Sequence, residues 1–252
     1  LRSAKTTNQT ACMRKLLDIL FWSVISAAFI GPGTVTTAAS AGAKHQYSLL
    51  WALTFSTIAC LILQEASARL TIVSGKNLGQ AIRDSFSGRI TGVFAMIVVV
   101  GAIILGCAAY EAGNILGGVA GAELATGFSK TALTLSCGLV AAVLLWFGST
   151  GFVARLLGIV VALMGLAFLA TAWMIAPPLP AVLKGSVLPS LPPESGLLVM
   201  ALIGTTVVPY NIFLGSGIAQ KGQSLREMRF GLGIAIVFGG VISMVVRLVG
   251  TA

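Results

Sequence analysis

Seven long stretches of this chain carry no Asp, Glu, Lys or Arg, and each is long enough to cross a lipid bilayer. A transmembrane helix needs about 20 predominantly apolar residues, within a range of about 17–25. The chain is 57% hydrophobic and 9% charged, whereas soluble domains are about 25% charged. The pattern therefore predicts a polytopic α-helical membrane protein and excludes a soluble domain, a coiled coil and a disordered chain. The stretches are 19–43, 45–64, 90–110, 131–154, 156–183, 195–220 and 230–246.

We predict a single transmembrane domain over residues 16–252, preceded by a cytoplasmic tail over residues 1–15. Each stretch supplies one helix once loop residues at its ends are allowed for. The first stretch is too long for the core of a signal peptide, so we interpret it as the first span. Helices are expected near 17–43, 47–73, 90–118, 131–150, 152–176, 195–219 and 229–250.

The basic residues are distributed unevenly between the connections. With a cytoplasmic N-terminus, twelve of the 16 Lys and Arg residues lie on the cytoplasmic side and four lie outside. Cytoplasmic connections are enriched in Lys and Arg, so this orientation is the predicted one. The same rule accounts for the net charge of +9, and no nucleic-acid partner is expected. Arg247, at the end of the last span, is expected to snorkel towards water.

Two connections have a distinctive composition. Residues 176–195 contain six of the eight prolines and are expected to form an extracellular loop in an extended, polyproline-like conformation. Residues 74–89 are basic, with apolar side chains at Leu78, Ile82 and Phe86. That spacing predicts a short amphipathic helix on the cytoplasmic face of the membrane.

The remaining two prolines interrupt the first and sixth predicted spans. Pro32 lies beside Gly33 in the middle of the first span, and Pro209 lies in the middle of the sixth. Proline removes a helical hydrogen bond and clashes with the preceding turn, and glycine adds backbone freedom. Backbone groups freed at mid-membrane depth must be buried in protein or line a polar cavity. Both spans are therefore predicted to be broken helices.

The two breaks occupy corresponding positions in two five-helix halves. Many secondary transporters are built from inverted repeats whose discontinuous helices form the substrate site near the bilayer midplane. A pair of simple proline kinks is the alternative. Hydroxyl and amide side chains beside both breaks favour a binding site over that alternative; they are Thr34, Thr36, Thr37, Thr205, Thr206 and Asn211.

At these residues the chain resembles the NRAMP (natural resistance-associated macrophage protein) family of proton-coupled divalent-metal transporters. Segment 31–51, which begins Gly-Pro-Gly-Thr, aligns without gaps with the family's first-helix Asp-Pro-Gly-Asn motif and the loop after it. Segments 64–70 and 75–76 resemble the end of its second helix, and segment 203–214 resembles the sixth-helix segment that contains Met-Pro-His. The resemblance implies a five-plus-five inverted-repeat fold that works by alternating access.

The chain departs from the family pattern at the metal site. Gly31 and Thr34 stand where the resemblance places the metal-binding aspartate and an asparagine. Val208 and Tyr210 stand where it places the methionine and the histidine. The soft sulfur ligand that favours transition metals is therefore absent. The carboxylate that would offset the charge of a dehydrated dication is also absent.

Oxygen atoms remain, and they predict a weak site for a hard cation. The candidate metal ligands are the hydroxyls of Thr34 and Thr205 and the amide of Asn211, together with carbonyls around Gly31, Thr205 and Thr206. Mg²⁺ prefers oxygen ligands and keeps several of its waters. We expect Mg²⁺, Mn²⁺ or Fe²⁺ as the transported ion, with Mn²⁺ and Fe²⁺ bound only weakly, and no resident cofactor.

Three further ionisable residues are candidates for a functional or structural role. Glu111 matches a family glutamate, while the aspartate just upstream corresponds to Ala108. An acidic residue at membrane depth is a candidate for proton relay or cation attraction; the alternative is a helix-end residue that faces outside water. Glu65 and Arg69 are spaced i,i+4 and are expected to form an ion pair that is structural or part of an inner gate.

The leading hypothesis is a secondary-active, multi-pass transporter of a divalent metal cation in the plasma membrane, with the lipid bilayer and inorganic cations as its partners. A non-transporting receptor or scaffold that retained the fold is the alternative. An enzyme is not expected, because the spans contain no paired carboxylates, no Ser/His arrangement and no His-Glu-x-x-His motif. A five-plus-five repeat needs ten helices, so we expect a chain truncated on its C-terminal side.

Overall fold

A computed structural model describes residues 30–86 and 88–251, and within them the chain forms helices joined by short connections. These helices are α1 (Pro32–His45), α2 (Leu50–Ser74), α3 (Leu78–Ser85), α4 (Arg89–Thr126), α5 (Lys130–Phe147), α6 (Thr150–Ile175), α7 (Leu179–Val187), α8 (Gly196–Thr206), α9 (Pro209–Ile218) and α10 (Leu225–Val249). The predicted all-α class is confirmed.

Six described stretches are long and apolar enough to cross a membrane. The predicted multi-pass membrane architecture is therefore confirmed. The first half of the predicted helix 17–43 lies outside the described residues, and α1 is its second half. The six stretches are Leu50–Ser74, Ile90–Thr126, Lys130–Phe147, Gly158–Ile175, Gly196–Ile218 and Leu225–Val249.

Helix α2 lies at the centre of the buried core, where it packs against α8, α9 and α10, while α10 also packs against α1. Small residues allow these helices to approach closely. A Cβ added at Gly42 would collide with the Arg247 carbonyl oxygen, and one added at Gly250 with the Ala39 carbonyl oxygen. Small residues serve this purpose in membrane proteins, where the hydrophobic effect does not drive helices together.

Helices α4, α5 and α6 form the apolar outer part of the described structure. Helix α5 has no buried residue, and Trp146 and Trp173 are 83% and 87% exposed. Such surface is compatible with hydrocarbon, which solvates apolar side chains as well as a protein interior does. The inner face of α4 is different, because it packs against both α1 and α9.

The prediction of an extended loop over residues 176–195 was wrong in its middle. Residues Leu179–Val187 form α7, which packs against α2. Pro178 is the N-cap, and Pro180 lies within the first two positions of the helix. Proline is tolerated there because the first amides of a helix have no intrahelical acceptor. A proline-rich segment therefore begins a helix as readily as it forms an extended chain.

Two other features differ from expectation. Helix α4 continues to Thr126 rather than ending near residue 118, and it stops at Gly127, whose φ of 72° is left-handed. Arg247 does not snorkel. Its side chain is fully buried, and Nη2 donates to the Gln46 carbonyl at the C-terminus of α1 (2.7 Å). A cation is stabilised at a helix C-terminus by the helix dipole.

The predicted amphipathic helix in segment 74–89 is present as α3. Asn77 and Gln80 form a reciprocal capping box at its start. Lys76 donates to Asp84 at 2.8 Å, and this hydrogen bond holds the pKa of the Asp84 carboxyl below its usual value. The Leu78 amide donates to Ser216 Oγ at 2.6 Å, which ties α3 to α9 near the end of the spans.

Candidate ion site at two helix breaks

The first break separates α8 from α9. Helix α8 ends at Thr206, Val207 and Val208 have non-helical dihedral angles, and Pro209 is the first residue of α9. Because Pro209 has no N–H, the carbonyl of Thr205 has no helical i+4 donor. The predicted break in the sixth span is therefore confirmed, and it exposes backbone carbonyls at the C-terminus of α8.

The second break precedes α1. Gly31 is extended (φ −126°, ψ 176°) and Pro32 is the first helical residue. The Val35 amide donates to the Gly31 carbonyl at 3.0 Å, which closes the first turn. Proline at the first position of a helix costs little, because its missing N–H would have had no intrahelical partner. Both prolines thus stand at the first position of a helix.

The two breaks lie together in the core. Ile30, just before the α1 break, and Val208, within the α8–α9 break, belong to one buried cluster. Tyr110 of α4 and Tyr210 of α9 pack against that cluster. The expectation that the two broken segments meet is therefore met in the described structure.

Helix α4 covers this meeting point with a polar face. The hydroxyls of Tyr110 and Thr34 are 3.3 Å apart, and the ring of Tyr110 contacts that of Tyr210 edge-on with centroids 5.5 Å apart. One turn further along α4, Asn114 Oδ1 accepts the Gly33 amide at 3.1 Å. The side chains of α4 thus bind the start of α1 directly.

Glycines make this approach possible. A Cβ at Gly31 would lie 2.5 Å from Asn114 Oδ1, and a Cβ at Gly117 would lie 2.7 Å from the Pro32 carbonyl oxygen. Real Cβ atoms essentially never come within 3.0 Å of another heavy atom. Gly117 thus allows close helix packing, and the packing partner of α4 is α1.

The remaining candidate ligands lie on α8 and α9. The hydroxyls of Thr205 and Thr206 both donate to the Leu202 carbonyl, at 3.1 and 3.2 Å. Each hydroxyl therefore keeps oxygen lone pairs for another partner. Asn211 is fully buried on the first turn of α9. Val208 is 3% exposed and brings no polar side chain.

Comparisons with known proteins agree with this architecture. Residues 23–252 match the family model described as natural resistance-associated macrophage protein-like, or Nramp. The chain belongs to the Nramp family. The family resemblance of the sequence is thereby confirmed.

Two relatives show how much of an Nramp protein the chain represents. It is 30% identical over 209 residues to the divalent metal cation transporter MntH of Verminephrobacter eiseniae, covering 82% of this chain and 46% of that protein. It is 31% identical over 222 residues to the MntH of Levilactobacillus brevis, covering 86% and 47%. The chain thus spans about half the length of these relatives. Both are named as transporters, in agreement with the expectation that the chain is not an enzyme.

A solved structure shares the fold. The manganese transporter of Eremococcus coleocola, crystallised with an aromatic bis-isothiourea substituted compound, matches with a TM-score of 0.73 at 21% identity. The match covers 94% of this chain and 52% of that one. The partial five-plus-five fold with broken helices is therefore that of an Nramp protein.

Acidic and soft ligands are sparse in this Nramp chain. No group of three or more His, Cys, Asp or Glu side chains that could hold a metal occurs among the residues the structure describes. Glu111 lies on α4, directly after Tyr110 in the chain, and is exposed. It borders the site rather than lying between the two breaks.

Sequence reasoning missed a polar face on α2. Ser67 donates to the Ile212 carbonyl at 2.8 Å, and Thr71 contacts Ser216 Oγ at 2.8 Å. Gln64, three residues before Ser67 on the same face, is fully buried, and its amide has no hydrogen-bond partner in the described structure. The i,i+3,i+7 spacing of these polar residues in an apolar helix was the available signal.

The predicted pair of Glu65 and Arg69 is present with a nitrogen–oxygen distance of 3.7 Å. The shorter contact of Glu65 is to Arg229 of α10, at 2.8 Å. The ion pair thus links α2 to α10, and the i,i+4 contact within α2 is secondary.

Proposed function

We propose that this Nramp chain takes part in secondary-active transport of a divalent metal cation, bound between the start of α1 and the α8–α9 break. The observation that carries the proposal is the meeting of two unwound segments in one buried cluster. Discontinuous helices that meet in the core of a transporter form ion and substrate sites from freed backbone groups. The names of the relatives, divalent metal cation transporter and manganese transporter, support the same class of cargo.

The donor atoms favour a hard cation. The hydroxyls of Thr34 and Thr205, the amide of Asn211 and the carbonyls at the end of α8 are all neutral oxygen ligands. Val208 and Tyr210 provide no sulfur or imidazole. Mg²⁺ takes oxygen ligands while retaining several waters, whereas sulfur and imidazole ligands suit softer transition metals. We therefore propose Mg²⁺ as the preferred ion, with Mn²⁺ and Fe²⁺ bound more weakly.

The proposed proton coupling rests on a residue at the border of the site, and the proposed membrane orientation rests on the basic residues. Glu111, exposed at its border, is the proposed proton carrier or cation attractor. The distribution of basic residues supports a cytoplasmic N-terminus, and in that orientation α1 leads from the site towards the outside. A multi-pass protein of the plasma membrane fits this arrangement.

Uptake by proteoliposomes tests the proposal. The purified protein should show saturable Mg²⁺ uptake, and Thr34→Val should raise the half-saturating concentration about tenfold, equivalent to about 1.4 kcal/mol of lost binding. Thr36→Val is the matched control, because the Thr36 hydroxyl is exposed and donates to the Pro32 carbonyl of its own helix (2.8 Å). Equal effects of the two substitutions would contradict the placement of the site.

A receptor or scaffold is the second candidate. The edge-on contact of Tyr110 with Tyr210 places two large rings at the meeting point of the broken helices. The candidate ligands there also lack a carboxylate. If neither Mg²⁺ nor Mn²⁺ shows saturable flux while the protein remains folded, this second reading replaces the first.

A further inference from the structure

The side chain of Asn114 occupies the space that a side chain at position 31 would take. A Cβ built on Gly31 would lie 2.5 Å from Asn114 Oδ1, 3.1 Å from its Cγ and 3.3 Å from its Nδ2. All three contacts are to the same carboxamide, so a larger residue at position 31 and the present position of Asn114 exclude each other. The Gly33 amide holds this carboxamide in place at 3.1 Å.

We propose that Asn114 is a specificity-determining residue of the cation site, and that its neutral carboxamide takes the place of an α1 side chain. This inference rests on the proposed function. An amide oxygen has two lone pairs: one accepts the Gly33 N–H, and the other is available to a cation or to a water in its hydration shell. The oxygen ligand that replaces a side chain at position 31 therefore comes from α4 rather than from α1.

The charge of the carboxamide determines which ions the site holds. A neutral oxygen cannot offset the charge of a dehydrated dication, and charge that is buried without compensation is strongly unfavourable. An ion that keeps part of its hydration shell avoids most of this cost, as Mg²⁺ does. Thr34, whose hydroxyl lies 3.3 Å from that of Tyr110, adds further neutral oxygens beside Asn114.

A purely structural role for Asn114 gives different expectations. Gly31 is the N-cap of α1 and has no side chain, so Asn114 serves as a cap supplied by another helix. An N-cap acceptor can be Asn or Asp with nearly equal effect. Under the cap role alone, Asn114→Asp would leave cation affinity unchanged. Under our inference it places a carboxylate at the site and strengthens binding.

Isothermal titration of the purified protein with MnCl₂ and MgCl₂ tests the inference. For Asn114→Asp we expect Mn²⁺ to bind at least about tenfold more tightly, because a unit charge a few ångströms from a dication is worth more than that factor even with strong screening. Asn77→Asp is the matched control, since Asn77 caps α3 (its side chain accepts from the Gln80 amide) away from both breaks. The control should leave both dissociation constants unchanged.

A second pair of variants tests the steric exclusion. Gly31→Asp alone should tighten Mn²⁺ binding less than the double variant, because the Asn114 carboxamide must first move away from the new Cβ. Gly31→Asp combined with Asn114→Gly removes the collision and should tighten binding at least about tenfold. Equal gains from the single and double variants would overturn the exclusion.

The outcomes separate this inference from the proposed function. If the wild-type protein binds Mg²⁺ but folded Asn114→Asp has unchanged affinities, Asn114 is only a cap and the inference fails alone. If neither the wild-type protein nor any variant binds either ion, both fail. If only the carboxylate variants bind, the native protein has no cation site, and the inference fails together with the proposed function.

Discussion

The two helix breaks have the same proline signature but different surroundings. At the start of α1, Gly31 and Gly33 allow α4 to approach until Asn114 hydrogen-bonds the backbone. At the α8–α9 break, Val207 and Val208 carry apolar side chains, and Val208 is buried. The α1 break is completed by a neighbouring helix, whereas the α8–α9 break offers its own carbonyls.

This difference shows how a broken-helix site can change its ligands while keeping its fold. The backbone geometry depends on Pro32 and Pro209, which start α1 and α9. The donor set depends on which side chains reach the breaks, and at α1 those side chains come from α4. Ligand chemistry can therefore vary without any change in the path of the chain.

The largest expected effect concerns the close contact of α4 with α1. Gly117→Ala should lower the free energy of unfolding by about 1–3 kcal/mol, because its Cβ would lie 2.7 Å from the Pro32 carbonyl oxygen and overpacking has a cost of that order. Gly121→Ala is the control, since nothing lies within 4 Å of its Cβ. Thermal unfolding in detergent measures the stability of both variants. Equal stability would mean that α4 does not approach α1 so closely.

The two prolines provide the next comparison. Pro209→Ala supplies an N–H that can bond the Thr205 carbonyl and make α8 and α9 continuous, so Mg²⁺ affinity should fall about tenfold, or about 1.4 kcal/mol. Pro32→Ala should change affinity less, because Asn114 still accepts the Gly33 amide and holds the start of α1 in place. Titration calorimetry measures the Mg²⁺ affinity of both variants. A larger loss of affinity for Pro32→Ala would mean that the α1 break, rather than the α8–α9 break, depends more on its proline.

A smaller effect is expected where α9 is attached to α2. Ser67→Ala removes the hydrogen bond to the Ile212 carbonyl, and interhelical bonds of this kind contribute about 0.6 kcal/mol on average in membranes. Ser74→Ala, which removes a bond to the Leu70 carbonyl within α2, is the control. Ser67→Ala should lower the thermal stability in detergent more than Ser74→Ala does.

The smallest effect concerns the ion pair far from both breaks. Glu65→Gln weakens the contacts with Arg229 and Arg69, where the arginine side chains are more than half exposed. Exposed pairs contribute about 0.2–1 kcal/mol, and salt screens them. The difference in free energy of unfolding between Glu65→Gln and the wild-type protein should be smaller at high salt than at low salt. A difference that does not change with salt would mean that Glu65 contributes more than electrostatics.

The sequence predicted those parts of the fold that depend on local chemistry. Uncharged stretches revealed the spans, and the two isolated prolines marked the breaks. It did not predict that Tyr110 and Asn114 complete the α1 break, because those contacts join residues 76 and 81 positions apart. A single sequence carries no direct signal for such pairs.

Other misses have related physical causes. The prolines of residues 176–195 suggested an extended loop, yet Pro178 and Pro180 stand at the start of α7, where proline is compatible with a helix. Arg247 was expected to reach water, but the carbonyl of Gln46 provides an internal acceptor. In both cases the outcome depended on tertiary neighbours that a pattern of residue types does not contain.

The location of a bound ion tests the central claim most directly. Crystals of the protein soaked in MnCl₂ should show an anomalous difference peak between the start of α1 and the end of α8, within about 2.0–2.6 Å of oxygen ligands that include Thr34 Oγ1 or Asn114 Oδ1. A peak only at carboxylates outside the two breaks, such as Glu111 or Glu123, with none between the breaks, would contradict the account.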